Sequence, residues 1–255
     1  MSKEWNAPLC TLYSESQKPE VLPERIVGKL KSFKPVSVFI TRNLREDDFF
    51  FQVLTAAGCK TQGIALIETK RINAPKIPLV DWIFFASKHA VRHYLAQTKI
   101  PDGTKIGAVG RVTSDELRKH KMPAHFIGAS NDTQTIAKQF GALAGRSRVL
   151  FPQAKGSLRT VQLQMPQAKV IDIIVYETIA QPTDNLPVCD VMVFTSPSNV
   201  DAYFEKNKLK PSQKIVAMGH ATANALKEKG ILSCGMTDSF GDAGLVRAVM
   251  GISLV

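Results

Sequence analysis

The chain has 255 residues and an ordinary globular composition, 44% apolar and 22% charged, which excludes a disordered, collagen-like or coiled-coil protein and leaves room for one or two buried cores. Lys and Arg outnumber Asp and Glu to give a formal charge of +11, which favours an anionic partner: nucleic acid, a membrane surface or a polycarboxylate. No apolar run approaches the roughly 18 residues a membrane-spanning helix needs and the N-terminal stretch lacks a signal peptide's apolar core, so a soluble, cytoplasmic protein is expected. Cys10, Cys59, Cys189 and Cys234 are scattered without a CxxC pair, which opposes a zinc ribbon or disulfide framework and fits reduced thiols.

Residues 1–35 mix both charges with Pro8, Pro19, Pro23 and Pro35 and show no sustained periodicity. They read as an extension with one helical turn near Pro23 to Leu30. The basic balance belongs mainly to the rest of the chain, which disfavours a nucleic-acid arm. A short apolar β-rich run, Val36 to Thr41, follows, then a helical stretch from Arg45 to Ala57 and a long extended run from Lys60 to Arg71. Two β-then-α pairs come next: Trp82 to Ala86 with His89 to Gln97, and Lys105 to Val109 with Thr113 to Lys121. The pattern then restarts with Val149 to Pro152, a helix over Leu158 to Met165 and an extended run from Lys169 to Ala180.

The restart is a repeat. Asp81 to Leu95 aligns without gaps on Asp190 to Phe204 at an offset of 109, with Asp, Phe, Ser, Val and Tyr coincident. The same offset joins Lys105 to Lys214 and their following turns, and brings Leu54, Lys60, Ile64, Glu68 and Thr69 onto Leu163, Lys169, Ile173, Glu177 and Thr178. A tandem duplication over roughly 36–146 and 147–255 is expected. Apolar runs alternating with amphipathic helices predict an α/β fold of two doubly wound parallel sheets, flavodoxin- or Rossmann-like, with right-handed crossovers. The runs Lys60 to Arg71 and Lys169 to Ala180 are longer than a parallel strand needs and read as a two-stranded linker. The expected domains are 36–67 plus 179–255, and 72–173, with linkers near 66–71 and 174–180 and a cleft at the hinge.

In such sheets ligands bind beyond the carboxyl ends of the strands, where turns expose backbone N–H groups at helix N-termini. Those turns contain Thr41 and Arg42; Ser87 and Lys88; Gly110, Arg111 and Thr113; Lys155, Gly156 and Ser157; Ser196, Pro197, Ser198 and Asn199; and Gly219, His220 and Thr222. The alternative role for their hydroxyls is capping: Thr113 with Glu116 makes a capping box, and Ser87 and Ser196 can cap their own helices. His89 and His93 are spaced i, i+4, but no carboxylate context completes a metal site, so a solvated helix face is expected and no metal. Nucleotide-binding glycine fingerprints and a GxSxG elbow are absent, which lowers classical cofactors and hydrolases. Tyr176 lies in the second crossing run, where its phenol would face the cleft and either donate a proton or pack.

The strings VGRVT from Val109, FPQAKGSLR from Phe151, VIDIIVYET from Val170, FTSPSNV from Phe194 and AMGHATANALKEKGI from Ala217 together resemble the uroporphyrinogen-III synthase family, in family order over 36–255. The resemblance implies two α/β domains joined by two strands, the discontinuous one built from both chain ends. It implies a cofactor-free lyase that closes the linear tetrapyrrole hydroxymethylbilane to uroporphyrinogen III, inverting the terminal ring and losing water. It further implies a monomer that takes its substrate in a transient hand-over from the preceding enzyme of the pathway. By motif position Tyr176 takes the place of the family's linker tyrosine, the acid or orienter of the leaving hydroxyl. Thr222 matches the second threonine of the family's glycine-proline-threonine-threonine turn, and Ser196 matches its second serine-proline motif. His220 and Ala221 stand where that turn usually has proline and threonine, and Lys88 and His89 replace the first unit's proline and its neighbour. The substrate's acetates and propionates would give the positive charge a purpose at helix N-termini and Lys or Arg side chains. A hinged α/β module that binds a polyanion without reacting it stands as the alternative. An RNA-binding role has only net charge behind it.

Overall fold

The computed structural model describes residues 34–130, 132–237 and 241–253. The expected helical turn near Pro23 to Leu30 lies outside the described residues. The fold is mixed α/β, with seven helices and two sheets among the described residues, one sheet all parallel and the other parallel except for one antiparallel edge. The chain forms two compact units: one runs through Leu66 and resumes at Pro182, the other is Ile67–Gln181.

The first unit contains β1 (Ser37–Ile40), α1 (Phe49–Ala56) and β2 (Lys60–Gly63). The second contains β3 (Ile67–Arg71), β4 (Trp82–Phe85), α2 (Lys88–Leu95), β5 (Lys105–Ala108), α3 (Arg111–Lys119), β6 (Phe126–Ile127), α4 (Thr133–Ala144), β7 (Arg148–Ala154) and β8 (Lys169–Ala180). The chain returns to the first unit for β9 (Val191–Phe194), α5 (Pro197–Lys206), β10 (Lys214–Ala217), α6 (His220–Glu228), β11 (Gly235–Met236) and α7 (Asp242–Ser253). The first sheet has the order β11-β10-β9-β1-β2, all parallel. The second has the order β3-β8-β7-β4-β5-β6, parallel except for β3 against β8.

Both faces of the second sheet are covered, which is why β4 reads as an unbroken apolar run. Trp82 and Phe84 point to α4, where Phe140 meets Trp82 edge-on at 5.2 Å between ring centroids. Ile83 and Phe85 point to α2 and α3 and join Val91, Tyr94, Leu117, Val175 and Tyr176. In the first sheet, Val38, Val191, Val193 and Val216 pack on Phe50 and Leu54 of α1 and on Leu245 and Val249 of α7. On its other face Phe194 meets Tyr203 edge-on at 5.3 Å, the counterpart of Phe85 and Tyr94 at 5.7 Å.

Three local expectations change. The helix over Leu158 to Met165 is only a 3-10 turn at Gln162–Gln164. Gly156 and Arg159 take positive φ before it, and Pro166 forces Met165 out of the helical region after it (φ −120°, ψ 62°). The run Lys60 to Arg71 is two strands, because its first half pairs with β1 and its second with β8. The helix expected from Thr113 starts at Arg111, so Thr113 is a buried interior residue and not a cap. Its expected partner Glu116 takes both forks of Arg92, at 2.6 and 3.0 Å, and Lys119 at 3.2 Å.

Candidate active site

The placement of Tyr176 follows from one irregularity in β8. Register against β7 runs from Gln153 with Ile174 to Ala154 with Tyr176, leaving Val175 as an extra, bulged residue. A bulge breaks the two-residue alternation, so Ile173, Val175 and Tyr176 all reach the core beneath α2. Without it the Tyr176 side chain would sit on the opposite face. The phenol is therefore nearly buried, 7% exposed. Past the bulge, Arg71 pairs with Tyr176 and Thr69 with Thr178, so these four side chains share the face toward α2.

Helix α2 supplies what the phenol meets. Ser87 is its N-cap and accepts the Ala90 N–H at 3.0 Å, and the same hydroxyl lies 3.1 Å from the Tyr176 hydroxyl. The His93 ring stacks on the Tyr176 ring, 5.1 Å between centroids and 15° from parallel, and its Nε2 lies 3.0 Å from Thr69 Oγ1. His89 approaches the same ring at 6.2 Å and 43°. Burial pushes the phenol's pKa up against the Ser87 hydrogen bond, so it stays protonated at neutral pH. Burial, then Lys88, Arg92 and His93, holds His89 down to about 4, with Glu116 opposing. His93 is also lowered, by burial and then by Arg71 and Arg92. Both imidazoles are therefore neutral, and the solvated face expected for them is instead a packed flank around the phenol. His89, His93, Thr69 and Arg71 are the residues the sequence reading did not place in the site. The signal for them was the i, i+4 histidine pair beside Tyr94. Its meaning depended on a bulge in a distant strand.

The remaining candidates lie at the carboxyl ends of neighbouring strands within each unit. In the second unit, Ser87 and Lys88 follow β4, Gly110 and Arg111 follow β5, and Lys155, Gly156 and Ser157 close β7. Gly110 is the extended N-cap of α3. Lys155 donates its backbone N–H to the Tyr176 carbonyl at 2.8 Å, and its ammonium lies 3.9 Å from Glu177. Gly156 turns the chain at φ +78°, and Ser157 Oγ accepts from the Arg159 N–H.

In the first unit, Thr41 and Arg42 follow β1, Ser196 to Asn199 follow β9, and Gly219, His220 and Thr222 follow β10. Thr195 donates its N–H to Thr41 Oγ1 at 3.1 Å and its hydroxyl to the Thr41 carbonyl at 3.2 Å. Ser196 caps α5, with Pro197 as its first residue and Ser198 following; Asn199 donates to Thr195 and Ser196, while its buried Oδ1 has no partner among the described residues. Arg42 gives two hydrogen bonds to Asp242, at 2.8 and 2.9 Å, and one to Asp48, so its guanidinium is committed to carboxylates of its own chain. Gly219 takes φ +81° to open α6, His220 is the first helical residue, and the buried Thr222 hydroxyl donates to the Met218 carbonyl at 3.0 Å.

Among the described residues no cluster of His, Cys, Asp and Glu could hold a metal ion, and no helix is long and apolar enough to cross a membrane. The family model for uroporphyrinogen-III synthase matches residues 20–247. The chain belongs to the uroporphyrinogen-III synthase family. A relative from Chlorobaculum parvum named uroporphyrinogen-III synthase is 24% identical over 221 residues, covering 76% of this chain and 90% of the relative. The fold is similar to crystal structures of uroporphyrinogen-III synthetase from Helicobacter pylori (TM-score 0.61, 18% identity, 86% of this chain and 99% of that one) and of a mutant uroporphyrinogen III synthase from Thermus thermophilus (TM-score 0.53, 16% identity, 86% and 98%). Uroporphyrinogen-III synthases are cyclising lyases of tetrapyrrole biosynthesis, and Tyr176 belongs to the VIDIIVYET segment that carried the family resemblance.

Proposed function

We propose that the protein closes hydroxymethylbilane to uroporphyrinogen III with inversion of the terminal pyrrole, using Tyr176 to orient the leaving hydroxyl. The carrying observation is the buried, protonated phenol held 3.1 Å from the N-cap hydroxyl of α2 in a chain of this family. Ser87 already accepts the Ala90 N–H, so its own hydrogen is available to Tyr176, and that leaves the phenolic hydrogen for a ligand oxygen. The hydroxyl, oriented by the phenol, takes one proton from solvent and departs as water, the substrate's methylene becomes an azafulvene cation, and the substituted carbon of the terminal pyrrole attacks it to give a spiro intermediate. Fragmentation and reclosure invert that ring, and loss of a proton restores aromaticity. Uncatalysed closure gives the type I isomer, so the protein's work is positioning.

Substrate carboxylates are assigned to the backbone N–H groups and side chains at Ser87, Lys88, Gly110, Arg111, Thr113, Lys155, Gly156 and Ser157 in one unit. In the other they are assigned to Thr41, Arg42, Ser196, Ser198, Asn199, Gly219 and His220, with Pro197 fixing the backbone of the first turn of α5 and Thr222 supporting the turn at Gly219. The pKa of the phenol argues for hydrogen-bond donation to the leaving group over full proton transfer.

The proposed domains are 36–67 plus 179–255 and 72–173, linked near 66–71 and 174–180, and the chain is proposed to be a duplication. Support comes from element starts 109 apart: Trp82 and Val191, Lys88 and Pro197, Lys105 and Lys214, Arg111 and His220, Phe126 and Gly235, Thr133 and Asp242. The parallel strands also share one order, β8-β7-β4-β5-β6 against β2-β1-β9-β10-β11. Even a strand-start bond recurs: Asp81 accepts the Arg148 N–H and Asp190 the Ser37 N–H, each at 2.7 Å. A cytoplasmic monomer receiving substrate by transient hand-over is the proposed setting, which the free thiols of Cys59, Cys189 and Cys234 suit.

The test is to add the purified protein to freshly generated hydroxymethylbilane and separate the oxidised products by isomer type. Predominantly type III product is expected. Type I product alone, formed at the uncatalysed rate, would return the protein to a non-catalytic polyanion binder.

A further inference from the structure

We infer that His93 is a positioning residue for Tyr176: its imidazole, tethered to Thr69, stacks on the phenol ring and fixes the plane in which the phenolic hydroxyl is presented. This rests on the assignment of Tyr176 above. The Ser87 hydrogen bond fixes the position of the phenol oxygen but does not by itself set the plane of the ring. The His93 ring, stacked at 15° and 5.1 Å, sets that plane, and the 3.0 Å contact from Nε2 to Thr69 Oγ1 holds the imidazole in place.

A helix-to-strand latch alone does not account for His93. One turn further along, Gln97 already ties α2 to the segment after β3, accepting the Ala74 N–H at 2.7 Å and donating to the Ile72 carbonyl at 3.1 Å. Nor does helix packing on a sheet require an imidazole there. Helix α5 carries Ala202 at the position 109 residues on, and it packs through Val200 and Tyr203. Arg71 from β3 and Arg92 from α2 both bear on His93, and with burial they keep its ring uncharged against the phenol.

The test is a double-mutant cycle on the full chain, measuring kcat and KM for type III formation in H93A, H93F, Y176F and H93A/Y176F. H93A is expected to lower kcat by about tenfold with KM within about twofold, and H93F, which keeps a stacked ring without the tether, to recover to within about threefold of the parent. On the Y176F background H93A should change kcat by less than about twofold, because its effect passes through the phenol. The same fold loss in both backgrounds would overturn the inference while leaving Tyr176 in place. A parent-like Y176F would overturn the Tyr176 assignment and this inference with it. If H93A does not fold, Thr69→Val takes its place: a loss of about threefold on the parent and none on Y176F is expected, and equal losses on both contradict the role.

Discussion

Tyr176 and Ser87, 89 positions apart, place their hydroxyls within 3.1 Å because a bulge at Val175 turns the tyrosine onto the face where α2 begins. Ser87 thereby does two things with one oxygen: it caps the helix through the Ala90 N–H and holds the phenol. The two roles separate by substitution. Ser87→Gly is expected to cost about 1 kcal/mol of stability, mostly from the phenol's lost hydrogen bond since glycine is a tolerable N-cap, and to lower turnover by roughly fivefold. Thermal unfolding beside steady-state rates checks this. A rate equal to the parent's would confine Ser87 to capping.

His89 predicts an acid-sensitive fold. Its pKa falls from 6.5 unfolded to about 4 folded, so as pH drops the unfolded chain takes up the proton first. Stability is full above pH 6.5, declines toward pH 4 and has no further His89 contribution to lose below that, a change on the order of 3 kcal/mol. Glu116 acts in a lower window: its pKa is pulled down to about 2 by Arg92, and its contribution is lost only as pH falls from 4.5 through about 2. Denaturant midpoints across pH should therefore show a slope between pH 6.5 and 4 that His89→Gln flattens. A slope unchanged by that substitution would assign it elsewhere.

Arg42 is expected to act on stability before it acts on substrate. Removing it takes the paired cation from Asp242 and the nearest one from Asp48, and with all three side chains partly exposed Arg42→Met should cost about 1–2 kcal/mol. Chemical denaturation measures this directly. An unchanged midpoint with a raised KM would leave Arg42 with its proposed substrate role alone.

Thr222 donates its hydroxyl hydrogen to Met218, so it has lone pairs and not a proton to offer a ligand. Thr222→Val should cost about 1 kcal/mol of stability and change turnover by less than about threefold. A loss of a hundredfold or more at unchanged stability would place its hydroxyl in the chemistry.

Much of this architecture is legible in sequence because both sheets are parallel and covered on two faces. The apolar runs at Trp82 and Val191 announce central strands, and Ser87 and Ser196 cap the helices their spacing predicts. What escapes is non-local. Thr113 has a capping-box pattern, but Glu116 is drawn to Arg92 on the neighbouring helix, and Gly110 opens α3. The helix expected over Leu158 to Met165 is reduced to a 3-10 turn that Pro166 ends. His89 and His93 lie at the margin of the apolar stripe of α2, and what covers that margin is a strand more than 80 residues away, turned by a bulge that no local period encodes.

The most direct test of the Tyr176 account is a single-turnover measurement of type III formation by Tyr176→Phe, with its unfolding midpoint taken on the same preparation. The phenol oxygen meets one hydroxyl and the ring stays packed, so stability should change by no more than about 1 kcal/mol while the rate falls by about a hundredfold. A parent rate at parent stability would contradict the account and make Tyr176 a packed core residue.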